Sequence, residues 1–249
     1  MMDSDNDKHV LHSTLHTTAS LPGSMDSGAI CKLNNTPDHS VCSTPGESIW
    51  IDLHYLPCIT YFRYLLPYRI IKFSTQALYK KQTYHNRCYI LTSQGVTRLT
   101  VPVRKGASKL PYSKIEINQD QPWTQLHWRT LCTAYRKAPY FDYFADYFHK
   151  VLSKEYTYLF DLNLALFQTC LQLLQLEKRI ELIEADENAM NTRVVDERYN
   201  IHPRNRLSQS NVQQATPYLQ VFGTTFHANL SIIDLLFCQG QTAIAILRG

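Results

Sequence analysis

The sequence predicts an α/β fold: a single domain over residues 48–249, with a small mixed sheet in its N-terminal half and a helical C-terminal half, preceded by a disordered polar tail over residues 1–47. Three observations predict it. Between Ser48 and Val103, short β-branched and aromatic runs are separated by turn residues. From Pro122 onward the apolar side chains recur at three- and four-residue steps instead. Residues 1–47 are rich in Ser, Thr, Asp, Asn and Pro without an apolar period, and cannot bury enough surface to offset the entropy of ordering.

The elements follow in order. "SIWIDLHYL" reads as a strand and "PCITYFRYLLPY" as a short helix, with Pro57 in its first turn and Pro67 near its end. "RIIKFS" reads as a second strand, completing a βαβ unit. "RCYILTS" and "VTRLTVPV" form a hairpin across Gln94-Gly95, and "SKIEI" suits an edge strand. In the hairpin, Thr97, Leu99, Val101 and Val103 alternate with Arg98, Thr100 and Pro102, so one face is buried and the other wet. Trp123, Leu126, Leu131, Ala134 and Tyr135 mark a helix that Pro139 ends. "YFDYFADYFHKVLSKEY" and "YLFDLNLALFQTCLQLLQLEKRI" give two more, the second at the centre of the core. After a loop-like stretch with room for one short strand, "NLSIIDLLFCQG" closes the ordered part as a helix capped by Asn229 or Ser231 and ended by Gly240.

Charge is unevenly distributed. The net formal charge is only +4, yet residues 53–115 carry eleven basic side chains and no acidic one. The whole-chain figure argues little for nucleic acid or an anionic membrane, whereas the local concentration calls for an explanation. No apolar run reaches the ~18 residues of a spanning helix, and the N-terminus is polar, so the expectation is no membrane span and a cytoplasmic location. Seven scattered cysteines without a Cys-x-x-Cys pair read as reduced, packed thiols. The Asp-x-Asp triplets at residues 3–7 lack the fixed geometry of a metal site and receive no role; no metal is expected and no motif specifies a cofactor. Phosphate loops, dinucleotide fingerprints and nucleophile elbows are missing.

Four polar clusters carry the remaining chemistry. "KKQTYHNR", residues 80–87, joins Lys81, Gln82, Tyr84, Asn86 and Arg87; it is either a solvated loop or an anion grip in which the guanidinium bonds bidentately and the amides assist. "WTQLHW" sets Trp123 and His127 four apart on one helix face, His127 being a general base or a core histidine. "DLN" puts Asp161 and Asn163 in an apolar helix, where Asp161 either pairs with the basic segment or marks a helix break. "RYNIHPR" holds His202 extended before Pro203, on a loop that either projects it into a cleft or leaves it in solvent. In "NLSIIDLL", Ser231 and Asp234 suit a helix N-terminus.

Taken in order, "KQTYHNRCYILTSQGVTRLTVPV", "WTQLHWRTLCTAYRKAPYFDYF", "YLFDLN", "RYNIHPR" and "PYLQVFGTTFHANLSIIDLLFCQG" resemble the blocks of WbqC-like proteins over residues from about 50 to 240. These are bacterial proteins often associated with O-antigen or other surface-polysaccharide gene clusters. The matching positions are Tyr84, Asn86, Arg87, Trp123, His127, Asp161, Asn163, His202, Pro203, Asn229, Ser231 and Asp234. The resemblance implies that they line a common site, and that the chain is a transferase of a small acyl or aminoacyl group, glycyl among them, onto an amino sugar. In that reading Arg87 and Lys81 hold an anionic partner such as a sugar nucleotide or activated acyl donor. His127 or His202 deprotonates the amine, Tyr84 and Asn86 polarise the carbonyl, and Asp161 completes the catalytic set. Gln82, Trp123, Asn163, Asn229, Ser231 and Asp234 complete the binding set. The competing expectation is a non-catalytic module that binds a polyanion through Arg98, Arg104, Lys105, Lys109 and Lys114; nucleic acid is the weaker partner because the aromatics fall at core spacing. A pocket gathering Arg87, His127, Asp161 and His202 would favour the enzyme, an exposed convex basic face the module.

Overall fold

A computed structural model describes residues 48–184, 194–198, 200–206, 208 and 215–249; the expected disordered tail lies outside the described residues. The fold is mixed α/β, with its first strands and a hairpin in the N-terminal half and helices in the C-terminal half. Strands β1 (Ser48–Trp50) and β2 (Ile70–Ser74) flank helix α1 (Ile59–Leu65) and run parallel, as a βαβ unit requires. Strands β3 (Arg87–Thr92) and β4 (Gly95–Thr100) form the antiparallel hairpin. Ser93 and Gln94 make its two-residue turn, and Gly95 beyond them takes the positive φ of 94°.

Helices α2 (Trp123–Tyr135), α3 (Phe141–Leu152) and α4 (Leu159–Leu173) follow. Two short strands, β5 (Arg179–Ile183) and β6 (Val194–Asp196), then join the first two in a parallel sheet of order β5-β2-β1-β6. Helices α5 (Ile232–Gln239) and α6 (Ala243–Arg248) close the chain.

The departures from expectation have local causes. Helix α4 stops short of "KRI" because Leu176 N–H bonds Leu171 C=O at 2.9 Å and Gln175 N–H bonds Gln172 C=O at 3.1 Å, a Schellman arrangement with Gln175 left-handed at φ 54°. The released "RIELI" becomes β5. Its exposed edge carries Arg179 and Glu181, ion-paired at 3.2 Å, and charge on an edge discourages further strand pairing. Pro57 precedes the N-cap Cys58 rather than entering the first turn of α1. "SKIEI" adds no strand: residues 112–114 form a 3-10 turn, and Glu116 and Ile117 make only isolated bridges to Tyr158 and Val103.

Two phenylalanines organise the core. Phe167 of α4 stacks on Phe62 of α1 at 5.8 Å and meets Phe73 of β2 edge-on at 5.3 Å. Phe237 of α5 gathers Tyr135 of α2 and Phe141 and Phe148 of α3 within 5.7 Å. Burying one such side chain is worth roughly 1.5–3 kcal/mol, so these hubs fix how the helices pack around the sheet. Among the described residues no helix is long and apolar enough to cross a membrane.

Candidate functional site

All four strands of the parallel sheet point the same way, and the loops leaving the C-terminal ends of β1, β2 and β6 bring polar side chains together. That edge is where open parallel sheets generally hold ligands. Asp52 and His54 follow β1, residues 80–85 follow β2, and His202 follows β6.

His85 is the best-fixed member. Its ring stacks on Tyr112 at 4.4 Å, its Nδ1 accepts the Lys80 N–H at 3.4 Å, and its Nε2 faces Asp52 Oδ2 at 3.8 Å. The bond at Nδ1 assigns the proton to Nε2, on the side of the carboxylate. At 3.8 Å the pair is too long for a tight hydrogen bond, so it is held electrostatically. Burial alone would raise the Asp52 carboxyl, but His85 opposite it, with His54 and Lys80 nearby, holds it below the usual carboxylate range.

The local chain is shaped for this. Thr83 Oγ1 donates to Lys80 C=O at 2.7 Å and accepts the His85 N–H at 3.3 Å, closing a turn in which Gln82 takes φ 62°. Tyr55 N–H bonds Tyr84 C=O at 2.9 Å, stitching the loop after β1 to the loop after β2. Tyr112 O–H donates to Leu53 C=O at 2.9 Å, and Asn163 donates to both His85 C=O and the Tyr112 hydroxyl.

His54 is buried among Tyr61 at 4.8 Å, Tyr84 at 5.3 Å and His85 at 6.2 Å, and its Nδ1 has no hydrogen-bond partner. Burial first, and then His85, lower its pKa to about 3 against the opposing pull of Asp52, so the ring is neutral. A buried nitrogen without a partner is costly in an idle structure and is the strongest local pointer to a ligand. His202 is half-buried; its Nδ1 accepts the Arg204 N–H at 3.1 Å, which leaves the proton on Nε2. Burial, Arg204 and Lys80 all lower its pKa, and its charge is felt at His54.

Of the residues singled out in the sequence, Tyr84 and Asn163 touch this cluster directly, and His202 stands on the neighbouring loop, where its charge is felt at His54. The Tyr84 ring packs on His54 and Tyr89, its hydroxyl is buried without a hydrogen-bond partner, and burial raises its pKa. Lys81 and Gln82 are exposed on the loop. Asn86 donates to Val101 C=O at 2.8 Å and anchors the hairpin. Arg87 opens β3, half-buried, with its Nε unpartnered.

The others are dispersed. His127 is a core histidine: its Nδ1 shares a 2.8 Å hydrogen bond with the Tyr55 hydroxyl, its ring meets Trp123 edge-on at 5.2 Å, and burial lowers its pKa to about 4 despite the Thr100 backbone bond. Trp123 is buried, with Nε1 donating to Gln119 at 3.2 Å. Asp161 is exposed in the first turn of α4 and is not the buried partner of the basic segment; partial desolvation raises its pKa. Asn229 accepts the Thr60 N–H at 3.0 Å and so caps α1 across the fold. Ser231 caps α5 and donates to Leu56 C=O at 2.9 Å. Asp234 is buried under Tyr135, Tyr218 and Gln220. Arg87, His127, Asp161 and His202 therefore do not gather in one pocket. Arg98, Lys105 and Lys114 are exposed, and Arg104 is exposed and ion-paired with Glu116 at 3.1 Å.

Asp52 and His54 lie outside the clusters that the sequence singles out, and His85, inside "KKQTYHNR", has no role assigned there. The first two lie in "WIDLHYL", polar residues two apart at the end of an apolar strand, and that spacing at the first βα junction was the available signal. Among the described residues no group of His, Cys, Asp and Glu is arranged to hold a metal ion.

No curated protein and no solved structure matches the sequence. Residues 53–203, more than half of the chain, match the model of the WbqC-like protein family, a span that contains His54, Tyr84, His85, Asn163 and His202. The chain belongs to the WbqC-like protein family.

Proposed function

We propose that the chain transfers a small acyl or aminoacyl group, such as glycyl, from an activated donor to the amine of an amino sugar in surface-polysaccharide synthesis. The observation that carries this reading is the convergence of one carboxylate and three imidazoles, Asp52, His54, His85 and His202, at the C-terminal edge of a parallel sheet beside Lys80 and Arg204. Amine acylation needs a base for the amine proton, a donor for the carbonyl oxygen and a counter-charge for an anionic substrate such as a sugar nucleotide. The cluster supplies each kind of group.

The amine nitrogen attacks the carbonyl carbon, and the electron pair of the C=O bond moves onto oxygen. His202 Nε2–H donates to that oxygen. His54 takes the amine proton, and Asp52 stabilises the imidazolium formed. Collapse of the tetrahedral species breaks the bond to the leaving group, which departs with the proton. Lys80 and Arg204 hold the anionic portion of the substrate. His54 replaces His127 as the base because its Nδ1 has no hydrogen-bond partner, whereas Nδ1 of His127 is already bonded to the Tyr55 hydroxyl.

The test is mass spectrometry of nucleotide-linked amino sugars incubated with the protein and either acetyl-coenzyme A or activated glycine. An added acyl or glycyl mass is expected, with the rate falling at least 100-fold in His54→Gln and His202→Gln. An unchanged mass across the panel, or full turnover in both variants, overturns the reading.

A further inference from the structure

A cleft lies where the start of α2 meets the end of α3, built from segments other than the loops that carry Asp52, His85 and His202. Its volume is about 350 Å³, at the lower end of the ~300–1,000 Å³ typical of small-molecule sites. Its aromatic part is a row of neighbouring rings. The exposed His149 ring lies 4.5 Å from half-buried Trp128, which in turn lies 6.4 Å from Phe141 at an interplanar angle of only 24°. The exposed imidazole, tilted 35° to the indole, thus lies against a ring that is itself backed by Phe141, and the two offer a supported aromatic surface.

The polar lining is mostly neutral: Gln119, Thr124, Gln125 and Ser153. Gln119 is already oriented, accepting from Trp123 Nε1 at 3.2 Å and donating to Tyr156 C=O at 3.1 Å. Lys154 and Glu155, adjacent in the chain, oppose each other in charge. A second concavity of about 350 Å³ adjoins across Trp123 and Gln125 and is more apolar, with Pro102, Pro122 and Leu126 in its lining.

An aromatic surface next to neutral amides and hydroxyls matches a molecule with one apolar face and an equatorial rim of hydroxyls. An anionic ligand gains nothing from the balanced charges of the first cavity. We infer that this cleft binds a neutral saccharide, one ring against the His149 and Trp128 pair with its hydroxyls on Gln125, Thr124 and Ser153, and a second ring extending past Trp123. The inference stands apart from the proposed transfer, because its readout is binding alone.

The experiment titrates the full chain with cellobiose, maltose and diacetylchitobiose, following tryptophan fluorescence and saturation-transfer NMR. At least one should bind saturably. Its affinity should fall at least tenfold in the Thr124→Ala/Gln125→Ala double variant, whose side chains lie outside the core, and in Trp128→Leu once circular dichroism shows it folded. Binding should persist in His54→Gln, which separates this site from the transfer site. No saturable binding to any of the three, undiminished binding in the double variant, or loss of binding in His54→Gln overturns the assignment.

Discussion

The side-chain amide of Asn163, on α4, donates to the backbone carbonyl of His85 at 2.7 Å, joining positions 78 residues apart in the chain. The same nitrogen donates to the hydroxyl of Tyr112, whose ring stacks on that of His85. One buried amide therefore holds both the backbone and the stacking partner of the imidazole that faces Asp52. Asn163→Ala removes both bonds and leaves a small void, so a loss of about 2–4 kcal/mol in unfolding free energy is expected from urea denaturation. A loss under about 0.5 kcal/mol would show that the network relaxes around the gap.

His127 gives a pH signature with a defined sign. Its pKa falls from 6.5 unfolded to about 4 folded, chiefly through burial. A depressed folded pKa means that the stabilising contribution is complete above 6.5 and is lost as pH falls toward 4. His127→Gln can keep partners at Tyr55 and Thr100 without titrating. Relative to that variant, the wild type should lose roughly 3 kcal/mol across this window, read as denaturation midpoints at successive pH values. A constant difference between the two proteins would refute it.

Much of the fold was legible because its signals are local. The βα unit at 48–74, the hairpin at Gly95, the helix from Trp123 and the Ser231 and Gly240 boundaries of α5 each carry their own periodicity, turn or cap. Strand β5 was hidden because α4 ends on a left-handed Gln175, where a glycine would have announced the stop. The site was harder. His54 and His85 meet only because β1 and β2 lie side by side, and no spacing in the sequence encodes a contact between loops. His127 shows the converse: good motif spacing describes a helix face equally well when that face is core.

Gly240 turns the chain from α5 toward α6 at φ 56° and ψ −129°, where a side chain is strained. A Cβ there would lie 2.3 Å from Cδ1 and 2.5 Å from Cε1 of Tyr140, whose backbone is pinned by a 3.0 Å bond to Phe237 C=O. Gly240→Ala should therefore cost about 2–4 kcal/mol from backbone strain and overlap combined. Thermal denaturation would check it. In a double-mutant cycle with Tyr140→Ala the combined cost should be less than the sum, since removing the ring removes the overlap; strict additivity would place the strain wholly in the backbone.

Asp234 predicts the opposite pH slope. Its carboxylate is fully buried and receives the Tyr135 hydroxyl at 2.7 Å, the Tyr218 hydroxyl at 2.5 Å and the Gln220 amide at 3.2 Å, but no cation bonds to it among the described residues. Burial raises its pKa above 3.8, and the three hydrogen bonds oppose that rise without cancelling it. A raised folded pKa means that the stabilising contribution is complete below 3.8 and is lost as pH climbs through the folded value. Asp234→Asn preserves shape and one acceptor and cannot ionise. The stability of the wild type relative to this variant should thus fall as pH rises from about 3 and level off once the carboxyl is ionised in both states. Denaturant midpoints for the two proteins at successive pH values give the slope directly. A difference that grows with pH would mean that the two tyrosine hydroxyls and the amide stabilise the anion by more than burial penalises it, reversing the assigned direction.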